Sequence, residues 1–495
     1  MKKISFFLMT LLLISTSCNK FYEEDLSTLI TAESGILSDE IGLMAALSGA
    51  YKPLGVGLST GLQSAHMAAI LMGGDDLTTH KSSNKACFRE FDQFNVVNNN
   101  DRLPVTWNGC YKTIQGCNNI LANIPTAIGT KATLDQIAGE AYFLRAYSYF
   151  WIVRLHGDAP VLLDSHIWKT ENLKMDVTPV AEIYELIIDD LEMAIDLMAD
   201  KKLQPGRASK GAALAVLAEV YLHMAGYPLN DETKYALAAS TAKEVIDNKD
   251  KYGFGLLDDY AKLWPTQKPL YQPAGNKEMV FALCNQGTRE SGNAYFGIAA
   301  RPGAEMVGWD DFFCEIGFYN RFPDQYRKEV TYYSKHTKSD GSVITWQEFA
   351  TGRPYYKKLF GSKHSAGTAD DQPLERFAET LLIFAEAQIM ATGDNSDPDA
   401  LEAFNQIRRR AYGLNPFTPN ASVDAISITQ RDVIEEKGWE FAGEFCRWFD
   451  LIRLGMLEET FAQKDPDDLQ PLTDNPRYFL PYPQVDAQIN PNLAK

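Results

Sequence analysis

Residues 434–455, IEEKGWEFAGEFCRWFDLIRLG, carry aromatic and apolar side chains along one face of a helix. Phe441, Phe445, Trp448 and Ile452 recur at intervals of four, three and four residues, which is the period of an α-helix. Aromatic stripes at this spacing usually pack into a core, because water solvates so much apolar bulk poorly. The stretch therefore predicts a helix that is buried on at least one side.

The charged side chains of the same stretch alternate in sign. Glu444, Arg447, Asp450 and Arg453 follow one another every three residues. Side chains at i and i+3 on a helix are neighbours, and opposite charges there attract by about 0.2–0.5 kcal/mol. We expect a ladder of weak ion pairs along one side of this helix.

The whole chain has the composition of a well-packed globular protein. It has 495 residues, of which 45% are hydrophobic and 12% aromatic, enough for one large domain or for two to three ordinary ones. Its formal net charge of −18 argues against a nucleic-acid partner and against adsorption on anionic lipid, because both need clustered Lys and Arg. The seven cysteines form neither a disulfide framework nor a zinc motif, so those after Cys18 are predicted to be buried free thiols.

The amino terminus has the pattern of an export signal. Residues 1–18 read MKKISFFLMTLLLISTSC, with two lysines and then an apolar run from Ile4 to Ile14 that is too short to span a bilayer. The run ends in small residues and Cys18, an arrangement similar to a bacterial lipobox, although Ser15 stands where leucine is usual. We predict that the first 17 residues are a signal peptide and that Cys18 carries a lipid. The alternative is an ordinary signal peptide with an incidental cysteine.

The sequence has helical periodicity on both sides of a central region, residues 251–374, in which that periodicity is lost. The expected helices cover about 38–51, 104–124, 133–156, 179–199, 209–225, 231–248, 375–392 and 397–412. Two pairs of them, 209–225 with 231–248 and 375–392 with 397–412, have short connections, and Ala and Gly crowd the expected contact face of the first pair. Such spacing predicts tetratricopeptide-like hairpins, and hence a mainly α-helical fold with long loop-rich insertions.

Residues 251–374 lose this periodicity, while glycine, proline and aromatic residues accumulate. Aromatic side chains in loops bind sugars by stacking and peptides by apolar burial. A second core beneath long loops is the alternative. The candidate ligand-binding residues of this region are Tyr295, Trp309, Tyr319, Trp346 and Tyr355.

A second loop stretch, residues 72–103, is polar rather than aromatic. Asp75, Asp76 and Arg89 lie in it and could supply hydrogen-bonding groups to a polar ligand. A solvated loop with Asx turns explains the same composition.

The sequence favours binding without catalysis. Residues 57–61 satisfy the pattern G-x-S-x-G, but a nucleophile elbow needs a strand before it and a helix after it, and here a predicted helix precedes. The seven histidines lack metal-ligand spacing. Asp394, Asp397 and Asp399 could hold calcium, although a turn followed by an aspartate cap explains them with fewer assumptions. We therefore predict no catalytic residue and no cofactor apart from the lipid.

Several blocks of the chain together resemble the SusD/RagB family, the surface nutrient-binding lipoproteins of Bacteroidetes. The blocks are Cys18 with its leader, residues 139–161 (GEAYFLRAYSYFWIVRLHGDAPV), 209–222 (SKGAALAVLAEVYL), 439–455 (WEFAGEFCRWFDLIRLG) and 480–493 (LPYPQVDAQINPNL). The resemblance covers nearly the whole chain. One departure is Cys446, where the family more often has His or Tyr.

The resemblance implies one domain over residues 18–495, with four tetratricopeptide-like helix pairs at 38–250 and 375–455 and a variable region at 251–374. It implies a lipid-anchored position on the outside of the outer membrane. It also implies a SusC-like TonB-dependent barrel as partner, to which the lipoprotein delivers its ligand. Family ligands range from glycans to peptides and are held by variable loops, so no binding residue is carried over. We expect an oligosaccharide; the alternatives are a peptide ligand and, less favoured, a surface glycosidase.

Overall fold

A computed structural model describes residues 35–55, 61–62, 67–81, 85–165, 174–264, 276–284, 311–359, 371–444, 446–473 and 478–493. These residues are mainly helical, which confirms the predicted fold class. Their α-helices are α1 (Glu40–Tyr51), α2 (Met67–Ile70), α3 (Ala86–Asp92), α4 (Leu103–Asn123), α5 (Lys131–His156), α6 (Val180–Leu197), α7 (Lys210–Met224), α8 (Lys234–Asp247), α9 (Lys249–Tyr252), α10 (Ile316–Arg321), α11 (Tyr326–Thr331), α12 (Phe377–Thr392), α13 (Pro398–Ala411), α14 (Gln430–Glu440), α15 (Arg447–Arg453), α16 (Leu457–Gln463) and α17 (Gln484–Ile489).

The longer helices form four packed pairs within the described residues. These are α1 with α4, α5 with α6, α7 with α8, and α12 with α13. Further contacts of α4 with α5, α6 with α7 and α8 with α12 join the pairs into one scaffold. The two hairpins predicted from the sequence are the third and fourth pairs.

The third pair packs closely because its contact face is made of small residues. Ala215 and Ala218 of α7 and Ala238 and Ala242 of α8 are all buried. At Gly211 of α7, a Cβ atom would lie 2.6 Å from Cβ of Tyr252. Glycine therefore lets α7 approach the Tyr252 side chain more closely than any other residue would.

Helix α5 lies at the centre of the scaffold, and every residue from 143 to 156 is buried. Its two buried arginines are paired: Arg145 donates to Asp190 across 2.7 Å and Arg154 to Glu219 across 2.7 Å. Because a buried charge without a partner is costly, these pairs let a helix with two guanidinium groups be enclosed on all sides.

Most of the predicted helices start within two residues of the expected position, and α8 starts three residues later than predicted. The Ser209 side chain accepts from the backbone N–H of Ala212 at the start of α7. The first helix is capped by the carboxylate of Asp39, and Ser38 lies in the preceding 3₁₀ turn. Carboxylates and hydroxyls cap helices about equally well.

The strands are short and form four antiparallel two-stranded sheets within the described residues. They are β1 (Leu77–Thr78), β2 (Met279–Leu283), β3 (Phe313–Cys314), β4 (Tyr332–Tyr333), β5 (Lys335–Thr337), β6 (Val343–Thr345), β7 (Tyr355–Tyr356) and β8 (Gln372–Arg376). β1 pairs with β3, β2 with β8, β4 with β7 and β5 with β6. The β2–β8 pair ties the two ends of the central aromatic region together and leads directly into α12.

The stretch from 434 to 455 is two helices, not one. α14 ends at Glu440 and α15 begins at Arg447, with Gly443 at φ 76° between them. A left-handed backbone cannot continue a right-handed helix, so the chain turns here. The predicted burial is confirmed for Phe441 and Trp448, each 3% exposed, whereas Phe445 lies outside the described residues.

The ladder of weak surface ion pairs is wrong. Glu444 binds Lys358 and Arg376, whose partner nitrogens lie 2.6–3.0 Å from its carboxylate oxygens. Arg453 keeps one contact of the ladder, to Asp450, but also reaches Glu386. All of these side chains are buried. Most of these charges therefore connect the segment to distant parts of the chain, and Lys437 of α14 also pairs with Asp450 of α15 across 3.1 Å.

Glu440 shows how strongly charged this part of the core is. Its carboxylate accepts from Arg327, Arg376 and Arg410 at 2.8–2.9 Å, and all four side chains are fully buried. Burial opposes ionisation, but the three guanidinium groups outweigh it and hold the pKa of Glu440 well below its usual range. Here the buried charge is stable because its partners are buried with it.

The six cysteines within the described residues are free thiols. Cys110, Cys117 and Cys314 are buried, as predicted, and the first two lie on α4. Cys284 is exposed, and Cys87 and Cys446 are partly buried, so the predicted burial is confirmed for three of these six thiols.

Candidate ligand-binding surface

The two loop stretches singled out in the sequence meet at one place. β1 comes from the polar stretch and β3 from the aromatic region, and Leu77 pairs with Cys314 in the antiparallel register. Beside this pair the hydroxyl of Thr79 donates to the backbone oxygen of Asp311 across 2.7 Å. The Lys85 ammonium lies 2.7 Å from the carboxylate of the same aspartate. Segments more than 230 residues apart in sequence are thus locked side by side.

Next to this junction, four half-buried rings form what we call the aromatic surface: Tyr319, Tyr333, His336 and Trp346. The rings of Tyr319 and Trp346 meet edge to face with centroids 5.9 Å apart. The Tyr333 hydroxyl lies 2.8 Å from Nδ1 of His336. Rings that are partly exposed and held in fixed contact can offer both a flat apolar face and polar edges to a ligand.

Three buried rings support the aromatic surface from below. Phe349 stacks on Tyr355 at 5.5 Å with nearly parallel planes, and Phe313 packs in the same cluster. Trp346 and Tyr333 rest against this cluster. Trp346 and Tyr333 therefore have a base of their own, whereas Tyr319 packs against the main core.

Local backbone structure fixes the position of Trp346. It begins a 3₁₀ turn that is closed by a capping box. The Thr345 side chain accepts from the backbone N–H of Glu348, and the Glu348 side chain accepts from the backbone N–H of Thr345. The N–H of Trp346 donates to the oxygen of Ser334 across 2.9 Å. The turn is thereby anchored to the segment that carries Tyr333, so the two rings are positioned by the same local unit.

The tyrosines of the surface stay neutral at physiological pH. Burial raises the pKa of both Tyr319 and Tyr333. The ammonium of Lys328 lies 4.5 Å from the centroid of the Tyr319 ring, a cation–π contact that holds the ring in place. The hydroxyls are therefore hydrogen-bond donors as well as acceptors.

Two family models match different parts of the chain. One, described as starch-binding and associating with the outer membrane, matches residues 59–222, and the other, described as the SusD family, matches residues 276–495. SusD-like protein P2 of Formosa agariphila is 28% identical over all of this chain and 99% of its own length.

The chain belongs to the SusD/RagB family. Solved members share its fold. A SusD superfamily protein from Parabacteroides distasonis superposes with a TM-score of 0.76 at 23% identity, covering 92% of this chain and 98% of that one. Surface glycan-binding protein A of Bacteroides uniformis superposes with a TM-score of 0.74 at 21% identity, over 92% and 98% of the two chains.

Within this SusD/RagB chain, the predicted site residues lie in different places. Tyr319 and Trp346 are brought together on the aromatic surface. Tyr355 lies beneath it, 3% exposed, in the supporting cluster. Arg89 is half-buried on α3, and its guanidinium approaches the backbone oxygen of His80 at 3.4 Å, so it borders the junction. Cys18, Tyr295 and Trp309 lie outside the described residues.

Asp75 and Asp76 point into the protein. Asp75 receives two hydrogen bonds from Arg447, at 2.7 and 3.1 Å, and one from Arg321 at 2.8 Å. Burial opposes its ionisation, but Arg447 and Arg321 outweigh burial and lower its pKa. Burial raises the pKa of Asp76 to about 6, although the N–H of Gly443 donates to its carboxylate. Neither geometry favours contact with a ligand, and we assign both residues to the scaffold.

Sequence reasoning did not single out Tyr333, His336 or His80. His80 packs edge to face on Phe313 at 5.1 Å and so extends the rings toward the polar stretch. The available signal was the run of aromatic residues around 332–336, which we treated only as part of a region rich in rings.

Within the described residues, no cluster of three or more His, Cys, Asp or Glu side chains suits a metal ion. The Asp394–Asp399 segment is a turn and a cap: Asp394 accepts from Ser396 and Asp397 from Ala400. Among the helices of the described part, none is long and apolar enough to cross a bilayer.

Proposed function

We propose that this protein binds an oligosaccharide at the aromatic surface and delivers it to a SusC-like TonB-dependent barrel. The observation that carries the proposal is the fixed pair of half-exposed rings, Tyr319 and Trp346, beside the junction of the two loop stretches. Sugars present C–H groups to ring faces and hydroxyls to polar edges. The surface offers both, through its rings and through the Tyr333–His336 pair.

The relatives agree with a carbohydrate ligand. One matching family model carries the description starch-binding, and the structural neighbour from Bacteroides uniformis is a surface glycan-binding protein. Neither specifies the sugar for this chain. The partner barrel is proposed from family membership alone.

The proposal includes no catalytic step. The polar edges of the rings are the hydroxyls of Tyr319 and Tyr333, which their raised pKa keeps neutral, and the imidazole of His336. The carboxylates that the sequence offered, Asp75 and Asp76, are used inside the protein. Release of reducing sugar from a polysaccharide at catalytic protein concentrations would contradict this part of the proposal.

Replacing Trp346 by alanine tests the site. We expect affinity for the bound polysaccharide to fall by about 1–2 kcal/mol, roughly five- to thirtyfold in Kd, because one ring contact is lost. Affinity electrophoresis against a panel of polysaccharides identifies the ligand, and calorimetry then measures the change. Tyr412→Ala, which removes a partly exposed ring on the distant end of α13, is the matched control.

The same panel separates glycan from peptide recognition. Retardation by one polysaccharide and no heat with mixed peptides supports the proposal. Peptide binding that Trp346→Ala weakens would keep the site but change the ligand. Unaltered binding of the true ligand by Trp346→Ala would show that the site lies elsewhere.

We further propose that a lipid on Cys18 holds the protein at the outer membrane, facing outward. The support is the leader sequence and the outer-membrane association in the family description. A Cys18→Ser variant should leave the outer-membrane fraction in the native host, whereas Cys284→Ser, at an exposed cysteine, should remain there. Membrane retention of Cys18→Ser would refute lipid anchoring.

A further inference from the structure

A recess on the helical scaffold, away from the aromatic surface, has the features of a second binding site. It lies between α9, the start of β2, α12 and α13, and we call it the Phe417 recess. Its volume is ≈ 150 Å³. Its lining includes Lys249, Lys277, Phe254, Phe377, Leu381 and Phe417.

The floor of the recess is apolar and rigid. Phe254, Leu256, Phe377 and Leu381 are each at most 3% exposed and belong to the main core. A cavity of about this volume lined by Leu, Ile and Phe stays dry and accepts a benzene-sized molecule. The floor therefore suits a six-membered ring or a branched alkyl group.

The mouth of the recess is polar and carries more positive than negative charge. Lys249, Lys277 and Asp250 are exposed there. The Lys277 chain passes over Gly255, where a Cβ atom would lie 3.7 Å from its ammonium, and the ammonium is 6.0 Å from the centre of the Phe417 ring. Two ammonium groups against one carboxylate make a locally basic opening on a protein whose formal charge is −18.

Phe417 forms one wall and is held in position although its ring is 51% exposed. Its N–H donates to Oδ1 of Asn415 across 2.9 Å. The preceding carbonyl, of Pro416, accepts from the buried guanidinium of Arg409 across 2.9 Å. An exposed phenylalanine ring beside an ammonium is unusual, because an exposed ring does not gain the free energy that its burial would provide.

We propose that the Phe417 recess binds a small monocarboxylic acid with a benzene-sized apolar tail. The tail occupies the floor, and the carboxylate lies at the mouth between Lys249 and Lys277. The recess shares no residue with the aromatic surface, so the inference is independent of the proposed oligosaccharide site.

The probe for this site is 3-phenylpropionate, compared with the neutral 3-phenylpropionamide of nearly the same shape. Titrations by ligand-observed NMR use the full chain. We expect the acid to bind roughly threefold more tightly than the amide, the scale of an exposed ion pair. Lys277→Gln should remove that preference while keeping amide binding. Asp250→Asn should strengthen binding of the acid only.

Filling the floor tests the cavity itself. Leu381→Phe should abolish binding of both probes without changing polysaccharide affinity. If that variant is unstable, Phe417→Ala removes one wall at an exposed position and should weaken both probes several-fold. Any one of three results would overturn the proposal. The first is probe binding that survives both substitutions, and the second is equal affinity of the unaltered protein for acid and amide. The third is no binding at about 10 mM probe.

Discussion

At the scale of single residues, the decisive contacts of this protein are ion pairs between groups distant in sequence. Arg447 and Asp75 illustrate this, since 372 positions separate them and both are buried. Their types and spacing were readable in the sequence, but the pairing was not, because an i, i+3 charge pattern fits a surface ladder equally well. The choice depends on which residues the fold brings opposite each helix.

The Asp75–Arg447 pair leads to a prediction about stability. Asp75→Asn leaves the Arg447 guanidinium buried without its main counter-charge, so the free energy of unfolding should fall by about 3 kcal/mol. Glu459→Gln is the matched control, because the Arg431–Glu459 pair is 55% and 42% exposed, and it should cost less than about 1 kcal/mol. Urea denaturation measures both.

The pH dependence of that difference has a definite sign. Since Arg447 and Arg321 lower the pKa of Asp75 in the folded state, its carboxylate stabilises the fold above the pKa of the unfolded chain. The advantage of the natural protein over Asp75→Asn should therefore shrink as the pH falls below about 4. A difference that grows on acidification would contradict the assigned ion pair.

At the scale of helices and strands, the sequence predicted most of the scaffold. Long amphipathic or small-residue patterns predicted the helices from α4 to α8 and the later hairpin of α12 and α13. The break between α14 and α15 was missed, because the apolar stripe continues across it. Gly443 was the only local indication, and a glycine inside a helical pattern is often tolerated. The two-residue strands β1 and β3 are too short to leave a periodic pattern.

The break itself can be tested at Gly443. Its φ of 76° is unfavourable for a residue with a Cβ atom, so Gly443→Ala should lower the free energy of unfolding by about 1–2 kcal/mol. Gly49 lies exposed within α1 with nothing within 4 Å of its Cβ position, and Gly49→Ala should instead add about 0.5–1 kcal/mol. Two losses of equal size in urea titrations would argue against a left-handed turn at 443.

At the scale of the whole molecule, the helical scaffold maintains the fold, and the surface formed by the loops is where we place ligand binding. The aromatic and polar stretches were each recognisable from composition. Two of the candidates named from the aromatic stretch, Tyr319 and Trp346, are half-buried neighbours in the structure, and their role in ligand binding stays a prediction. The β1–β3 and β4–β7 pairings bring the two stretches together. Only these pairings reveal that Asp75 and Asp76 face inward. They also show that His80 and Tyr333 face the junction. Composition identifies such loops, and tertiary pairing decides which of their side chains reach a ligand.

If this division holds, two tryptophans should behave oppositely. Trp448 is 3% exposed, packs against Gly73 and stacks on Phe449 with centroids 6.0 Å apart. Trp448→Ala should therefore lower the free energy of unfolding by about 3–5 kcal/mol and leave ligand affinity of the folded fraction nearly unchanged. Trp346→Ala should weaken ligand affinity and leave the free energy of unfolding nearly unchanged, because the Trp346 ring lies over a small cluster apart from the main core. Denaturation and calorimetry on both variants decide the matter: lost affinity with intact stability in Trp448→Ala would place residues 434–455 within the binding site itself.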